Sequence, residues 1–218
     1  MKFNTDSQKV MDRFLKKKRM YFAIKRGTDV ILSLLALIIL SPLFLVIAIA
    51  IRVDSKGKVI FSQLRTGKDG KPFAMYKFRS MTQGAEARRN SLLVLNEMDG
   101  PVFKITNDPR VTKVGKFIRS YSIDELPQLV NILRGEMSIV GPRPLVVYET
   151  AKFTEYENMR HLVKPGLTCY WQIRGRNKLT FEEWIYLDLK YITKMSLITD
   201  FKLILLTLKA VVRKEGAY

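Results

Sequence analysis

The sequence predicts an α+β protein, mainly α: a membrane helix-break-helix, re-entrant or spanning, amphipathic interfacial helices and a small β-hairpin. Three observations carry this expectation. Val30 to Ile51 form an uncharged, strongly apolar run interrupted by Ser41-Pro42. Val59 to Leu64 and Phe73 to Phe78 are short strand-like runs, joined across Thr66-Gly67-Lys68-Asp69-Gly70, a link rich in turn formers. Much of the remainder has helical spacing, ending with Leu197 to Val212, where Leu197, Phe201, Leu205, Leu208 and Val212 share one face.

Each element follows in order. Residues 1–23 read as a basic arm, suited to a short helix on a membrane surface. Residues 24–52 are the membrane segment. As one straight helix the apolar run would reach about 33 Å, enough for a hydrocarbon core of about 30 Å. Bent at Pro42, each half reaches one leaflet. Proline removes a backbone donor and frees a carbonyl near Ile38. The Ser41 hydroxyl can bond a carbonyl of that preceding turn, so Ser-Pro makes a stabilised kink. Basic residues flank both ends: Lys16, Lys17, Lys18, Arg19, Lys25 and Arg26 before, Arg52, Lys56 and Lys58 after. Positive charge marks the cytoplasmic side. A re-entrant hairpin satisfies both flanks and a kinked spanning helix satisfies one; the residues leave both open.

Residues 53–218 read as one globular domain. After the hairpin, Ala85 to Glu97 reads as a helix. Val111 to Ser120 is basic with apolar spacing. A helix is expected from about Asp124 to Leu133, stopping at Gly135. Val140-Gly141-Pro142-Arg143-Pro144 reads as a rigid extended turn, Tyr148 to His161 as polar and helical, and Lys164-Pro165-Gly166 as another turn. Gln172 to Asn177 reads as a basic loop and Phe181 to Thr193 as a helix. The closing amphipathic helix fits a core or a headgroup layer, and the membrane run favours the layer.

The 218 residues carry 38 Lys plus Arg against 20 Asp plus Glu, a net charge of +18. So basic a chain favours an anionic partner: nucleic acid, anionic lipid or a phosphorylated substrate. The apolar run favours the last two. One cysteine, Cys169, excludes an internal disulfide. His161, the only histidine, has no cysteine or histidine neighbour with which to bind zinc and reads as structural. Neither a GxxxxGK[ST] loop nor a GxGxxG fingerprint occurs.

The sharpest local feature is Ser122-Ile123-Asp124-Glu125-Leu126-Pro127. Ser-x-x-Glu fits a helix capping box. If Asp124 were the N-cap, Pro127 would fall in the first turn, where it costs little. Two adjacent carboxylates near a phosphate site can instead hold a divalent metal, and one can be a nucleophile. Cations support that second reading. Lys77 and Arg79 alternate in Tyr76-Lys77-Phe78-Arg79-Ser80-Met81, Arg119 precedes the acidic pair, Arg143 stands between Pro142 and Pro144, and Arg174 and Arg176 bracket Gly175. Arginine forks bind phosphate oxygens in pairs.

Taken together these segments resemble the bacterial sugar transferase family, the monotopic phosphoglycosyl transferases. The resemblance runs from Lys25-Arg26-Gly27-Thr28-Asp29 to Glu215-Gly216-Ala217-Tyr218. It includes Ser41-Pro42, the Tyr76–Met81 segment, Asp108-Pro109-Arg110, the Ser122–Gln128 segment, Gly141-Pro142-Arg143-Pro144, Lys164-Pro165-Gly166 and Gly175-Arg176-Asn177. It implies a hairpin bent at Ser41-Pro42 and flanked by Lys25 and Arg26, on the cytoplasmic face of a bacterial inner membrane. It implies transfer of a sugar-1-phosphate from a UDP-sugar to polyprenyl phosphate, with UMP released, at the first membrane step of surface glycan assembly. Asp124 would be the nucleophile, Asp124 and Glu125 would bind Mg2+, and Lys77 would support the pair. Arg79, Arg119, Pro142, Arg143, Gln172, Arg174 and Arg176 would line the substrate site. The chain resembles the minimal catalytic form, without the extra N-terminal helices of longer members. Membrane lipids are implied partners and nucleic acid is not; a homodimer stays open. The competing class is a membrane-anchored basic binding module for nucleic acid or anionic lipid. It accounts for the charge but not for the acidic pair, and the arginines lack the interleaved aromatics of a stacking platform.

Overall fold

The computed structural model describes residues 5–97, 99–103, 105–173 and 179–213. Helix α1 (Thr5–Lys17) leads into α2 (Arg19–Ile39), and α3 (Ser41–Asp54) follows after a break at Leu40. The break has the chemistry its sequence dictates. Pro42 stands in the first turn of α3, where its missing N–H costs nothing. The Ser41 hydroxyl donates to the Ile38 carbonyl at 2.8 Å. No single helix among the described residues is long and apolar enough to cross a membrane; α2 and α3 meet that test only as a pair bent by 61°.

Both arms of this pair pack on the domain along one side. Ala36 and Leu37 of α2 meet a cluster of Phe73, Met75, Leu129, Ile132 and Met137. Ile47 and Ile51 of α3 are buried against Phe78 and Ile118, and the Phe44 ring meets Phe78 edge-on at 5.2 Å. The other side is apolar and uncovered: Ile38 is 63% exposed, Ile39 72% and Leu45 64%. Water does not tolerate so much contiguous apolar surface without a partner.

Strands β1 (Ile60–Thr66) and β2 (Pro72–Phe78) form the expected antiparallel hairpin, pairing Ile60 with Phe78 through Thr66 with Pro72. The helix expected over Ala85–Glu97 does not form. Turns lead into one 3-10 stretch, Asn90–Leu95, in which Leu93, Val94 and Leu95 are exposed. A helix of that length needs a buried face, and here none is offered one. Helix α4 (Lys113–Ser120) is capped by Thr112, whose hydroxyl accepts from the Gly115 amide. A 3-10 turn at Ile123–Glu125 precedes α5 (Gln128–Arg134), which closes on Gly135 in the left-handed conformation at φ 80°.

A second sheet lies outside what the sequence pattern predicts. Strand β3 (Ser138–Val140) runs parallel to β4 (Gly166–Thr168). Between them the polar stretch expected as one helix is divided into α6 (Val147–Thr150), α7 (Glu155–Asn158) and a 3-10 turn, Met159–Leu162. Thr154 interrupts it by capping α7 through a reciprocal bond with Glu157. Helices α8 (Tyr170–Ile173), α9 (Phe181–Lys194) and α10 (Leu197–Val212) complete the chain.

The largest core gathers Val140, Leu145, Trp171, Trp184, Ile185, Tyr191, Ile192 and Leu203. Met11, Phe14, Leu15, Tyr21 and Phe22 pack against it, so the basic arm is docked on the domain through its apolar face. Helix α10 buries Leu203 and Ala210, whereas the stripe of Leu197, Phe201, Leu205, Leu208 and Val212 faces outward. A core role for that stripe is excluded by its exposure. Lys25, Arg26 and Asp29 tie α2 down. Lys25 pairs with Asp200 of α10 at 2.8 Å. Arg26 donates to the Ile132 and Leu133 carbonyls at the end of α5, and Asp29 accepts from the Ile139 amide of β3.

Candidate active site

Asp124 and Glu125 stand on the short turn between α4 and α5, and both are buried. The chain enters this turn through Ser122 at φ 55°. That conformation is uncommon outside glycine and costs of order 1–3 kcal/mol. The Ser122 side chain makes no cap hydrogen bond to this turn, and Pro127 occupies the N-cap of α5. Both helix-capping frames expected from the sequence are therefore replaced. The acidic pair has a turn of its own, set by the reversal at Ser122 rather than by a helix start.

Glu125 is clamped. Lys77 Nζ donates to its Oε1 at 2.9 Å and Arg143 Nη2 to the same oxygen at 2.7 Å. Its Oε2 receives two long contacts of 3.4 Å, from Arg143 Nη1 and Gln172 Nε2. Burial pushes the Glu125 carboxyl up, but Arg143 and Lys77 outweigh it and hold the group well below the usual carboxylate range. Asp124 has the opposite character. No hydrogen bond to its carboxylate is made among the described residues. Burial raises its pKa, opposed by Lys77 and reinforced by the neighbouring Glu125 charge. Burial lowers Lys77, against the pull of Glu125. One carboxylate is thus locked as an anion while its neighbour is left unpartnered.

Arg143 owes its position to its loop. A Cβ added at Gly166 would lie 2.0 Å from the Gly141 amide nitrogen, so the two segments can meet only as glycines. The Pro142 carbonyl accepts from the Gly166 amide, and Arg160 Nη2 donates to the Arg143 carbonyl at 2.6 Å. Arg160 also pairs with Asp188, and both side chains are about 1% exposed. The Arg143 guanidinium lies over the Trp171 ring, 5.1 Å from its centre.

The other sequence candidates separate. Arg119, at the end of α4, lines the same cavity, and no protein group among the described residues takes its donors. Arg79 is committed elsewhere. Its guanidinium donates to the Lys56 and Ser55 carbonyls and the Ser55 hydroxyl, holding the end of α3. Lys77 and Arg79 part because β2 ends at Phe78. Arg174 and Arg176 lie outside the described residues. His161 is buried and stacked on Phe153 at 6.1 Å, and burial lowers it to about 4, as suits a structural histidine.

The acidic turn opens into a cavity of about 750 Å³, whose walls include Lys77, Arg119, Arg143 and Gln172. Sequence reading missed three groups here: Arg65, Arg160 and Trp171. Arg65 sits on a strand and reads as a solvated charge. Arg160 meets Asp188 only through the tertiary fold, and no local spacing announces the pair.

Residues 20–214 match the bacterial sugar transferase family. The chain belongs to that family. It is 46% identical over 201 residues to the galactosyl transferase CpsE of Streptococcus agalactiae, covering 92% of this chain and 44% of that protein. It is 42% identical over 204 residues to the UDP-glucose:undecaprenyl-phosphate glucose-1-phosphate transferase of Escherichia coli, covering 89% and 41%. It is 38% identical over 198 residues to the exopolysaccharide production protein ExoY of Sinorhizobium fredii, covering 89% and 88%. The chain thus spans under half the length of the first two relatives and most of the third.

Proposed function

We propose that this protein transfers a sugar-1-phosphate from a UDP-sugar to undecaprenyl or a similar polyprenyl phosphate, at the cytoplasmic face of a bacterial inner membrane. The observation that carries the reading is the contrast within the acidic pair. Asp124 is buried, unpartnered and raised, at a cavity wall lined with cations; Glu125 is fixed by Lys77 and Arg143. The names of the relatives support the substrate classes.

In the reading proposed, a carboxylate oxygen of Asp124 attacks the sugar-side phosphorus of the donor. A bond from that phosphorus to the nucleotide phosphate oxygen breaks, and UMP leaves with the electron pair. A lipid phosphate oxygen then attacks the same phosphorus, and the bond to Asp124 breaks to restore the carboxylate. Splitting the transfer lets a soluble donor and a lipid acceptor use one site in turn. Arg119 holds the transferred phosphoryl oxygens. Arg143 and Lys77 keep Glu125 ionised and in place.

Magnesium fits the donor set. No group of three or more metal-ligating side chains occurs among the described residues, but this ion commonly takes one or two carboxylates and completes its shell with substrate phosphates and water. Asp124 and Glu125 Oε2, which has only long contacts, would hold it, and it would neutralise phosphate charge. The uncovered sides of α2, α3 and α10 support a hairpin that dips into one leaflet, with the cavity at the lipid surface. A membrane-surface site spares the polyprenyl chain extraction into water.

The test is a screen of UDP-sugars with polyprenyl phosphate and Mg2+, scored by UMP release. Release that Asp124→Asn abolishes supports the reading. Full activity in a folded Asp124→Ala protein would refute the nucleophile.

A further inference from the structure

The cavity continues past the acidic pair along a second wall, built by the end of β1, the start of α6, Val102 and Phe103. Arg65 stands at the junction. Its Nη2 donates to Gln63 Oε1 at 2.6 Å and its Nη1 reaches the Pro144 carbonyl at 3.3 Å, while its Nε is buried without a hydrogen-bond partner. Its charge is felt by Glu125, Arg143 and Lys77 on one side and by Glu149 and Tyr148 on the other. Beyond it, the Arg89 guanidinium is sandwiched between the Tyr148 ring at 4.5 Å and the Phe103 ring at 4.9 Å. Glu149 secures the wall, accepting from the Val146 amide and more loosely from the Phe103 amide. The backbone is tied in too: Thr66 N–H donates to the Leu145 carbonyl.

Two features give this arm a chemical preference. It presents cationic groups without a full set of acceptors, next to aromatic faces. Arg110, the other arginine nearby, is consumed by Asp108 and the Ala85 carbonyl. Elsewhere in the cavity the tryptophans are spent: Trp171 stacks on Trp184 at 4.8 Å and lies beneath Arg143. Tyr148 is 41% exposed, so its ring can be reached. A phosphate joined to a planar ring matches a cation followed by a stacked aromatic–guanidinium pair.

We propose that this arm seats the nucleoside monophosphate half of the donor, with Arg65 on the nucleotide-side phosphate and Tyr148 and Arg89 against the base. The assignment rests on the transfer reading above. It puts the sugar-side phosphorus beside Asp124 and the leaving nucleotide phosphate against Arg65, whose charge would stabilise the departing oxygen.

The experiment measures UMP affinity by calorimetry and UMP inhibition of transfer, using the full chain in lipid nanodiscs. Wild type, Arg65→Gln, Arg65→Lys and Tyr148→Ala are compared. Losing a charge-assisted contact to phosphate should weaken UMP about tenfold or more in Arg65→Gln. Arg65→Lys should recover part of that loss, and Tyr148→Ala should weaken UMP several-fold, as loss of a base-stacking face does. The kcat/KM for polyprenyl phosphate should stay within about twofold, because in a two-step transfer it reports only the half-reaction that follows nucleotide departure. Tyr148, being exposed, carries the test if Arg65→Gln fails to fold. Unchanged UMP affinity in the folded variants, or an equal fall in kcat/KM for the lipid, overturns the subsite and leaves the transfer reading standing. A wild type that neither binds UMP nor releases it from any UDP-sugar overturns both.

Discussion

At Ser41-Pro42 and again at Ser122–Pro127 the chain interrupts helical structure with a serine and a proline, in very different surroundings. At the first break the backbone stays helical on either side, the hydroxyl covers a freed carbonyl, and the neighbouring side chains are apolar and exposed. At the second, Ser122 adopts a left-handed conformation and the two residues that matter are buried carboxylates. The first break relieves the backbone. The second puts strain into it and uses the resulting turn to bury two like charges side by side. Local chemistry explains the first completely; the second is held by residues from β2, the Pro142–Pro144 loop and α8. A helix break can therefore be read from sequence when its own residues repair it, and cannot when distant residues do.

The largest expected effect lies at the second break. Asp124→Asn should lower kcat by about 10³-fold or more with the fold intact, measured as UMP release beside a thermal melt. Substitution of Ser41 or Pro42 should leave chemistry in detergent nearly unchanged. Next in size, Lys77→Met should cost about 2–3 kcal/mol in denaturant unfolding. That is below the ~3–5 kcal/mol of a fully uncompensated buried charge, because Arg143 still faces Glu125.

The pH profile sharpens the comparison further. Asp124 must be ionised to attack, and burial has raised it, so without Mg2+ its carboxyl should titrate above the ordinary carboxylate value of about 3.9, and bound Mg2+ should draw the acid limb of the rate back down. Lys77 must be protonated to hold Glu125, and burial has lowered it, so the alkaline limb should lie below the ordinary lysine value of about 10.4. Lys77→Arg should move the alkaline limb up and leave the acid limb in place. The smallest energetic effect belongs to the first break: Ser41→Ala should cost about 1 kcal/mol, the net worth of one hydrogen bond. Its topology can be checked directly. Single cysteines at Lys17 and Lys56, both exposed, should label from the same side of the membrane, with native Cys169 buried and silent. Labelling from opposite sides would mean a spanning helix.

What was legible in the sequence follows the same division. The hairpin of β1 and β2, α9, α10 and the kink at Ser41 are governed by short-range pattern, and their outlines were readable. Asp124, Glu125, Lys77 and Arg143 could be named as chemical groups, and the fold brings all four together. The parallel pair β3–β4 could not be read, because each strand has three residues and their pairing, Ser138 with Gly166 and Val140 with Thr168, goes with a close approach of Gly141 to Gly166 that no local pattern shows. Arg79 looked like its neighbour Lys77 in sequence, yet it serves the carbonyls ending α3. Lys25 and Arg26 looked like flanking charges that mark the cytoplasmic side and are also tethers to α10 and α5. In each case residue type announced what a side chain can do, and the tertiary partner decided what it does.

The central claim is that Asp124 carries the phosphosugar between donor and lipid. The direct measurement is mass spectrometry of the protein quenched after exposure to a UDP-sugar and Mg2+ without lipid. The account predicts a sugar-phosphate adduct on the peptide containing Asp124, discharged when polyprenyl phosphate is added. Lipid product formed with no adduct on that peptide at any time, or an adduct that survives in Asp124→Asn, would contradict it.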